Sequence, residues 1–360
     1  TAPSDLITVQ SSGAGGLPPI WDTLVNERPL RDLSAWYHLV TKRTSTTLTF
    51  YLNGVLQGTD ANASETLSSK FFVLGSYDGG SYFHGYIAEF HLVDGTALDP
   101  TSFGEFGDYG EWKPIKYTGS HSANGVGLDF ADSAALGNDA AGSNNFTATN
   151  IVASDQMTDT PTNNFSTLNF VAKALNDTLS EGNLKKTGTS TQNRTCSTFG
   201  FDSGKWYAEY YVHTRGSDNP SLGIVDASQV NARNTIHVGH EAGTFGYYST
   251  AAGAANVNHG GTGNNGGTYS TYTNGHIIGV ALDIDNLKVY FYNNGSLAVT
   301  SGTTYETLTA GMTYNFAMGT NGSGVMIANF GQDGTFAGNK TAAGNSDGNG
   351  YGNFFHTVPS

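Results

Sequence analysis

The amino-acid sequence predicts an all-β protein made of antiparallel β-sandwiches in tandem. Two observations carry this prediction: short apolar segments recur along the chain, and turns rich in glycine and asparagine separate them. The chain has 360 residues, of which 48 are glycine. Many short strands at a spacing of about 8–12 residues, joined by such turns, are typical of sandwiches. We expect no helix longer than about two turns.

Two β-hairpins are predicted by Asn-Gly pairs that follow apolar segments. The pair at 53–54 follows Leu48–Leu52, and the pair at 294–295 follows Leu287–Tyr292. Asparagine and glycine tolerate the positive φ angles that both central residues of a type I′ turn require. The same type of turn at both places indicates antiparallel strand pairing in the first third and in the last third of the chain.

The composition divides the chain into two strand-rich blocks. We expect a sandwich over residues 1–115, a linker or strap rich in Asn, Gly and Ser over 116–164, a second sandwich over 165–335, and an irregular Gly/Asn-rich tail over 336–360. Whether the strap packs along a sandwich or only links the two blocks stays open from the sequence.

The charge balance excludes several classes of partner. The chain has 16 Lys and Arg against 30 Asp and Glu, which gives a formal net charge of −14. A surface of this sign repels nucleic-acid phosphates and anionic membranes. No apolar stretch approaches the roughly 18 residues of a transmembrane helix, so we expect no membrane insertion. The single cysteine, Cys196, excludes an intramolecular disulfide.

The first block carries motifs in a familiar order. They lie at Leu30–Val40, which contains Trp36-Tyr37-His38-Leu39, and at Leu52–Val55, Leu74–Gly75 and Phe83–Phe90. This order resembles the laminin-G-like, concanavalin A-like family, and the resemblance covers about residues 30–98. It implies a jelly-roll sandwich. The family's earlier strands are only partly matched by residues 1–29, so we expect the chain to be truncated at its N-terminal side.

The second block resembles a SPRY domain across about residues 204–332. The matching segments are Gly204–Glu209, Leu222–Ile224, Gly246–Tyr247, Gly279–Asp283, Val289–Gly295 and Asn329–Gly331. The resemblance implies a second sandwich, one that binds partners through loops at one end.

The combination of the two blocks resembles virion appendage proteins of marine tailed bacteriophages. It implies a non-enzymatic structural or adhesion component of the virion, exposed in a tail fibre or similar appendage. The implied partners are other virion proteins and a host surface glycan or protein. Two alternatives stay open: a secreted carbohydrate-active enzyme of the concanavalin A-like class, and a purely architectural virion protein.

The sequence gives no positive sign of catalysis. Retaining glucanases on this type of sandwich place two carboxylates about 5–5.5 Å apart on one strand face. Here Glu89, His91 and Val93 share a face and Asp94 points the other way, so the strand pattern yields no carboxylate pair. We therefore predict that the protein is not an enzyme.

Calcium is the one cofactor with a physical case. It prefers carboxylate, amide and backbone oxygens on irregular loops. The loops offer four such residues, and the alternative is that their side chains cap turns without a metal. They are Asp78, Asp94, Asp139 and Asn144.

Tyrosines near the loops of the second block are the predicted ligand-binding residues. A sugar can stack its C–H face on a tyrosine ring beside polar partners. The alternative is a place in the core or in a subunit contact. The residues are Tyr247, Tyr248, Tyr269 and Tyr272.

The strap at 117–161 is too polar to fold alone, so we expect it to pack on a sandwich or on a neighbouring subunit. Repeated weak sites gain avidity, and assembly covers sheet edges that would otherwise pair at random. We therefore expect a homo-oligomer, with a trimer as the first expectation by analogy with fibres.

Overall fold

A computed structural model shows two compact units: residues 1–156 with 160–163, and residues 157–159 with 164–360. The prediction of an all-β fold with tandem antiparallel sandwiches is confirmed. The structure describes residues 8–9, 24–25, 30, 32–61, 73–77, 81–83, 85–189, 193–216, 220–231, 237–250, 252–261, 267–320 and 322–360.

Helix is confined to three short 3₁₀ segments in these described ranges. They are Pro100–Ser102, Ala153–Asp155 and Ala227–Gln229. Within the same ranges, no helical segment has the length and hydropathy needed to cross a membrane.

The first unit contains small antiparallel sheets. Its strands pair as β1–β2, β3–β4–β5, β6–β7, β8–β11 and β9–β10. Their bounds are β1 Thr8–Val9, β2 Leu24–Val25, β3 Leu39–Thr44, β4 Thr47–Leu52, β5 Val55–Asp60, β6 Ser76–Tyr77, β7 Ser81–Tyr82, β8 Phe90–Leu92, β9 Gly104–Phe106, β10 Trp112–Pro114 and β11 Val126–Leu128.

The predicted hairpin at 53–54 joins β4 to β5. Asn53 and Gly54 have φ angles of 48° and 75°, as a type I′ turn requires. A Cβ atom at Gly54 would lie 2.2 Å from the Trp112 ring, so this position also needs glycine for space. Alternate residues of β4, Leu48, Phe50 and Leu52, point into the core of the unit.

Much of the segment predicted as a strap or linker belongs to the first unit. β11 lies within this segment and pairs with β8, with Gly127 opposite His91. Leu128 and Leu136 are buried there. The segment is therefore held by strand pairing and apolar burial, which composition alone did not reveal.

The second unit is a sandwich of two large sheets. One has the strand order β12-β13-β26-β15-β20-β21-β22, with β24 also paired to β21, and the other has the order β14-β25-β16-β17-β18. β19 pairs with β23 beside them. The strands are β12 Thr178–Ser180, β13 Lys185–Thr187, β14 Asn193–Phe201, β15 Lys205–Thr214, β16 Ser221–Asp226, β17 Thr244–Ser249, β18 Ala255–His259, β19 Thr268–Tyr269, β20 Ile277–Asp283, β21 Lys288–Asn293, β22 Ser296–Leu297, β23 Val299–Ser301, β24 Glu306–Thr307, β25 Tyr314–Thr320 and β26 Val325–Asn329.

The core of the second unit lies between these two sheets. Because side chains alternate along a strand, one face of each strand supplies the core. Tyr210 and Val280 enter it from the larger sheet, and Ile224 and Phe316 enter it from the smaller one. The opposite face of the larger sheet buries a smaller apolar cluster that includes Ile327 and Phe336.

The C-terminal segment covers this outer face through a buried carboxylate. Glu209 is fully buried on β15. Its Oε2 accepts a hydrogen bond from the backbone N–H of Phe355, and its Oε1 accepts one from the N–H of His356, each at 2.8 Å. The Asn329 amide and the Tyr207 hydroxyl also donate to it. The Gly/Asn-rich tail is thus irregular in backbone but packed.

Replacing Glu209 tests this anchor. In Glu209→Gln, an amide NH₂ replaces one acceptor oxygen and faces a backbone donor. A buried donor without an acceptor costs about 1–3 kcal/mol. We expect the free energy of unfolding at neutral pH, measured by urea denaturation, to fall by about that amount.

The matched control is Asp202→Asn, which makes the same chemical change at an exposed carboxylate of the same unit. It should leave the free energy of unfolding nearly unchanged. Equal losses in the two variants would show that Glu209 has no special role in holding the tail.

Candidate functional site

The candidate site is a polar cleft of about 470 Å³ in the first unit. Its walls come from the residue before β8, from β8 itself, from the segment after β10 and from the loops on either side of β11. The side chains that give it chemical character are Glu89, His91, Lys116, Tyr117, His121 and Asp129.

Two histidines and a glutamate form a hydrogen-bonded chain in this cleft. His91 Nδ1 lies 2.9 Å from His121 Nε2, and His91 Nε2 lies 3.3 Å from Glu89 Oε2. With both rings neutral, we assign the His91 Nε2–H as donor to Glu89, since the carboxylate can only accept. His91 Nδ1 then accepts from the His121 Nε2–H, so each contact has one donor and one acceptor.

The electrostatics favour the neutral form of His121. Burial, followed by the neighbouring His91, lowers the pKa of His121 below its ordinary value, although Asp139 acts in the opposite direction. A neutral His121 keeps Nδ1 available for hydrogen bonding to a ligand. The cleft therefore combines the carboxylates of Glu89 and Asp129, the neutral imidazole of His121 beside that of His91, and the ammonium of Lys116.

Aromatic rings back the histidine chain. Tyr117 meets the rings of both His91 and His121 edge-on, at centroid distances of 5.6 and 5.1 Å. Phe103 stacks on His91 at 5.6 Å and lies 4.8 Å from Tyr117. The half-buried Tyr117 also donates a hydrogen bond from its hydroxyl to the Ser120 carbonyl. Its ring is thus fixed at the wall of the cleft.

Three of the four predicted calcium ligands hold the loops that form this cleft. Asp139 Oδ1 accepts from the N–H groups of Gly127 and Ala141, and Asp139 Oδ2 accepts from that of Asn144. Asn144 donates to the carbonyls of residues 123 and 125. Asp94 accepts from the Asn124 amide at 2.9 Å. The fourth, Asp78, lies outside the described residues.

The oxygen atoms that calcium would need are largely hydrogen-bonded within the protein. Asp139 is 3 % exposed and already accepts backbone hydrogen bonds with both oxygens. Asn144 turns its amide nitrogen, not its oxygen, to the neighbouring carbonyls. Within the described ranges, no group of three His, Cys, Asp or Glu residues is placed to hold a metal ion. Turn capping, the alternative for these residues, accounts for the hydrogen bonds of Asp139.

The predicted ligand-binding tyrosines lie in the second unit, and three of them are buried. Tyr247 donates to the Ser270 carbonyl, Tyr269 to Glu306 at 2.9 Å, and Tyr272 to the Pro220 carbonyl at 2.6 Å. Buried rings leave no face on which a sugar can stack, so these three serve the core in this structure.

Tyr248 differs because the alternation of β17 turns it to the other face of its sheet. It is partly exposed and lines a small pocket of about 100 Å³ with His237 and Asn258. Burial, followed by His240, lowers the pKa of His237 to about 4. Of the four tyrosines, Tyr248 is the one that lines this pocket.

Comparison with known proteins gives a family match for the first block. Residues 4–102 match the family model Laminin_G_3, described as the concanavalin A-like lectin/glucanases superfamily. This match reaches only the β8 wall of the cleft, since Tyr117 and His121 lie beyond it. No curated protein matches the chain.

Two solved structures similar to this chain are SPRY domains. The TRIM65 PSpry domain has 13 % identity, covers 46 % of this chain and 91 % of its own, and gives a TM-score of 0.37. The SPRY domain of human HERC1 has 16 % identity, covers 40 % of this chain and 87 % of its own, and gives a TM-score of 0.30.

Sequence reasoning missed the cleft because its residues come from separate segments. Glu89 and His91 were singled out only as part of a strand without a carboxylate pair, and Tyr117 and His121 were not singled out at all. The pairing of β8 with β11 brings these segments together. Asp129 also enters the cleft from the far side of β11.

Replacing Asp139 by Asn tests the support of the cleft. The amide NH₂ would face one of the backbone donors, so we expect the free energy of unfolding near pH 7 to fall by about 1–3 kcal/mol. Burial opposes the charge of Asp139, but backbone N–H groups, that of Gly127 first, outweigh it and hold the pKa below its usual value.

This lowered pKa fixes the pH dependence of the difference. The stabilisation is present in full above the ordinary Asp pKa of about 3.9 and is lost as the pH falls through the lowered value. The gap between the wild type and Asp139→Asn in urea denaturation should therefore shrink below about pH 4. A gap that grows on acidification would contradict the assignment.

Proposed function

We propose that this protein is a non-enzymatic adhesion component that recognises a surface glycan in the cleft around His91 and His121. The observation that carries the proposal is the tyrosine ring of Tyr117 beside a fixed set of polar groups. The match of residues 4–102 to a superfamily of lectins and glucanases agrees with a binding or adhesion module.

The chemistry of the cleft suits a neutral or amino sugar. Its polar groups can accept from hydroxyls through Glu89 and Asp129 and donate to them through Lys116. Neutral imidazoles can do either, depending on the tautomer. The C–H face of a sugar ring packs on an aromatic side chain, and Tyr117 supplies such a side chain. Binding by many directional hydrogen bonds with one stacking contact gives specificity for a sugar over an apolar ligand.

The rival function is that of a carbohydrate-active enzyme. Glu89 and Asp129 both line the cleft, so the strand pattern alone underestimated its carboxylates. Glu89, however, is hydrogen-bonded to His91, and His91 to His121. We propose that both carboxylates serve as hydrogen-bond acceptors for a bound sugar and that no bond is cleaved.

We further propose that the protein is an exposed part of a tailed-bacteriophage virion, in a tail fibre or similar appendage. The resemblance of the two blocks in this order to such appendage proteins supports this setting. The acidic composition and the single cysteine fit it as well. Other virion proteins and the host surface would then be the partners.

Binding to a panel of bacterial and algal glycans, followed by titration of the best ligand, tests the proposed site. A stacking contact is worth about 0.5–1.5 kcal/mol, so Tyr117→Ala should weaken the affinity about two- to tenfold. Tyr109→Ala is the matched control, because that ring is 96 % exposed in the same unit. It should bind as the wild type does.

The outcomes separate the three functions. Binding without turnover, weakened by Tyr117→Ala alone, supports adhesion through this cleft. Turnover that is lost in Glu89→Gln or Asp129→Asn would favour the enzyme. No binding to any glycan, together with failure of the isolated protein to block adsorption of the particle, would favour a purely architectural role.

The proposed setting also predicts a homo-oligomer, with a trimer as the first expectation. The net charge of −14 opposes close association, so contacts should use charge-poor faces. Leu39 and Val55 pair with Leu52 from either side and so share one face of the sheet β3–β4–β5, where each exposes about half of its surface. Sedimentation with and without calcium should show an assembly. A monomer at micromolar concentration in both conditions would contradict it.

A further inference from the structure

Three polar side chains are buried together in the second unit without contact with solvent. Asp177, Lys186 and Asn193 are 3 %, 0 % and 2 % exposed. Lys186 Nζ lies 2.9 Å from Asp177 Oδ2 and 2.9 Å from Asn193 Oδ1. Asn193 Nδ2 donates to Asp177 Oδ1 at 2.7 Å. Each of the three side chains thus contacts both of the others.

Burying a lysine and a carboxylate in this way is expensive. The desolvation of two charges can exceed the energy gained from their attraction, and a well-packed apolar pair is often more stable. The cluster also joins the two sheets, since Lys186 lies on β13 of the larger sheet and Asn193 on β14 of the smaller one. Lys186 Nζ also donates to the backbone carbonyls of Asn193 at 3.2 Å and Met318 at 3.5 Å, so the amine is held in place beside the Asn193 side chain.

The geometry prepares the Asn193 amide for attack by the Lys186 amine. The Thr320 hydroxyl donates to Asn193 Oδ1 at 3.0 Å, and this contact polarises the carbonyl group as negative charge develops on its oxygen. Asp177 touches the nucleophile with one oxygen and the amide nitrogen with the other. It can therefore accept a proton from the first and deliver one to the second.

Burial also favours the nucleophilic form of the amine. It lowers the pKa of Lys186, although the nearby Asp177 acts in the opposite direction. A neutral amine is the form that attacks carbonyl groups, and holding the two reactants in contact replaces a slow encounter between separate molecules.

We propose that Lys186 and Asn193 become joined by an intramolecular isopeptide bond, with Asp177 as the proton carrier. Asp177 first takes a proton from the Lys186 ammonium. The Nζ lone pair then forms a bond to Asn193 Cγ, and the carbonyl π electrons move to Oδ1. As the carbonyl re-forms, the Cγ–Nδ2 bond breaks.

The proton balance closes without any outside reagent. The amide nitrogen leaves as ammonia after gaining one proton, which Nζ loses as it becomes an amide N–H. Asp177 keeps the proton that it first accepted, so no isolated charge remains buried beside the new amide. Neither an oxidant nor a cofactor is needed.

The bond would tie the two sheets of the sandwich together at β13 and β14. The loop that it closes, between residues 186 and 193, is short, so the gain from restricting the unfolded chain is modest. Its main effect is mechanical, because separating the sheets at this point would require breaking a covalent bond. This inference concerns the second unit and does not depend on the glycan cleft.

Intact mass spectrometry of the purified full chain tests the proposal. The measured mass should fall below the sequence mass by one ammonia. A tryptic digest should contain the peptide 186–194, uncut after Lys186, lighter than its sequence mass by one ammonia, and closed into a ring by the bond between Lys186 and Asn193. Fragmentation of this peptide matters, because succinimides at Asn-Gly pairs such as 53–54 also lose ammonia.

Two variants complete the test. Asp177→Ala retains both reacting groups, and its mass should equal the sequence mass because the proton carrier is gone. Lys185→Arg changes the neighbouring cation, keeps the tryptic site and should still lose ammonia.

An unmodified wild-type mass would overturn the proposal, whether or not Asp177→Ala folds. Loss of water with a link to Asp177, or loss of ammonia located at another asparagine, would overturn it as well.

Discussion

The need to satisfy backbone N–H groups away from regular strands governs this structure. A chain so rich in glycine and asparagine forms short strands and long irregular segments, whose buried amides need acceptors. Buried carboxylates supply them. Asp139 holds the loop after β11, and Glu209 holds the C-terminal segment against β15. Both carboxyl groups are almost completely buried. Burial raises the pKa of Glu209 despite its hydrogen bonds, whereas at Asp139 the backbone N–H groups outweigh burial and lower the pKa.

This support reaches the candidate site directly. The loop that Asp139 organises carries Ala141 to the cleft wall, and a Cβ atom at Gly127 would lie 3.1 Å from His121 Nε2. The position of the imidazole thus depends on a glycine, and that glycine is held by the same carboxylate. The ligand groups of the proposed glycan site are therefore fixed before a ligand arrives, which limits the entropy cost of binding.

Local features were predictable from the sequence, and convergent ones were not. The hairpin at Asn53 follows from the φ preferences of two residues. The cleft depends on the pairing of β8 with β11, in which His91 lies opposite Gly127 from a distant part of the chain, and no local pattern specifies it. For the same reason, the sequence around Asp139 does not distinguish a cation ligand from a cap of backbone amides, because both are acidic residues in an irregular loop. The inward direction of Tyr247 depends on the register of β17, which the local sequence does not specify.

Residue-resolved amide hydrogen exchange of the wild type is the most direct test of the central claim. If buried carboxylates hold the irregular segments, the amides of Ala141, Asn144, Phe355 and His356 should exchange nearly as slowly as those of the paired strands. Exchange of these amides at the rate of exposed loops would contradict the account, because the carboxylates would then not bind them in solution.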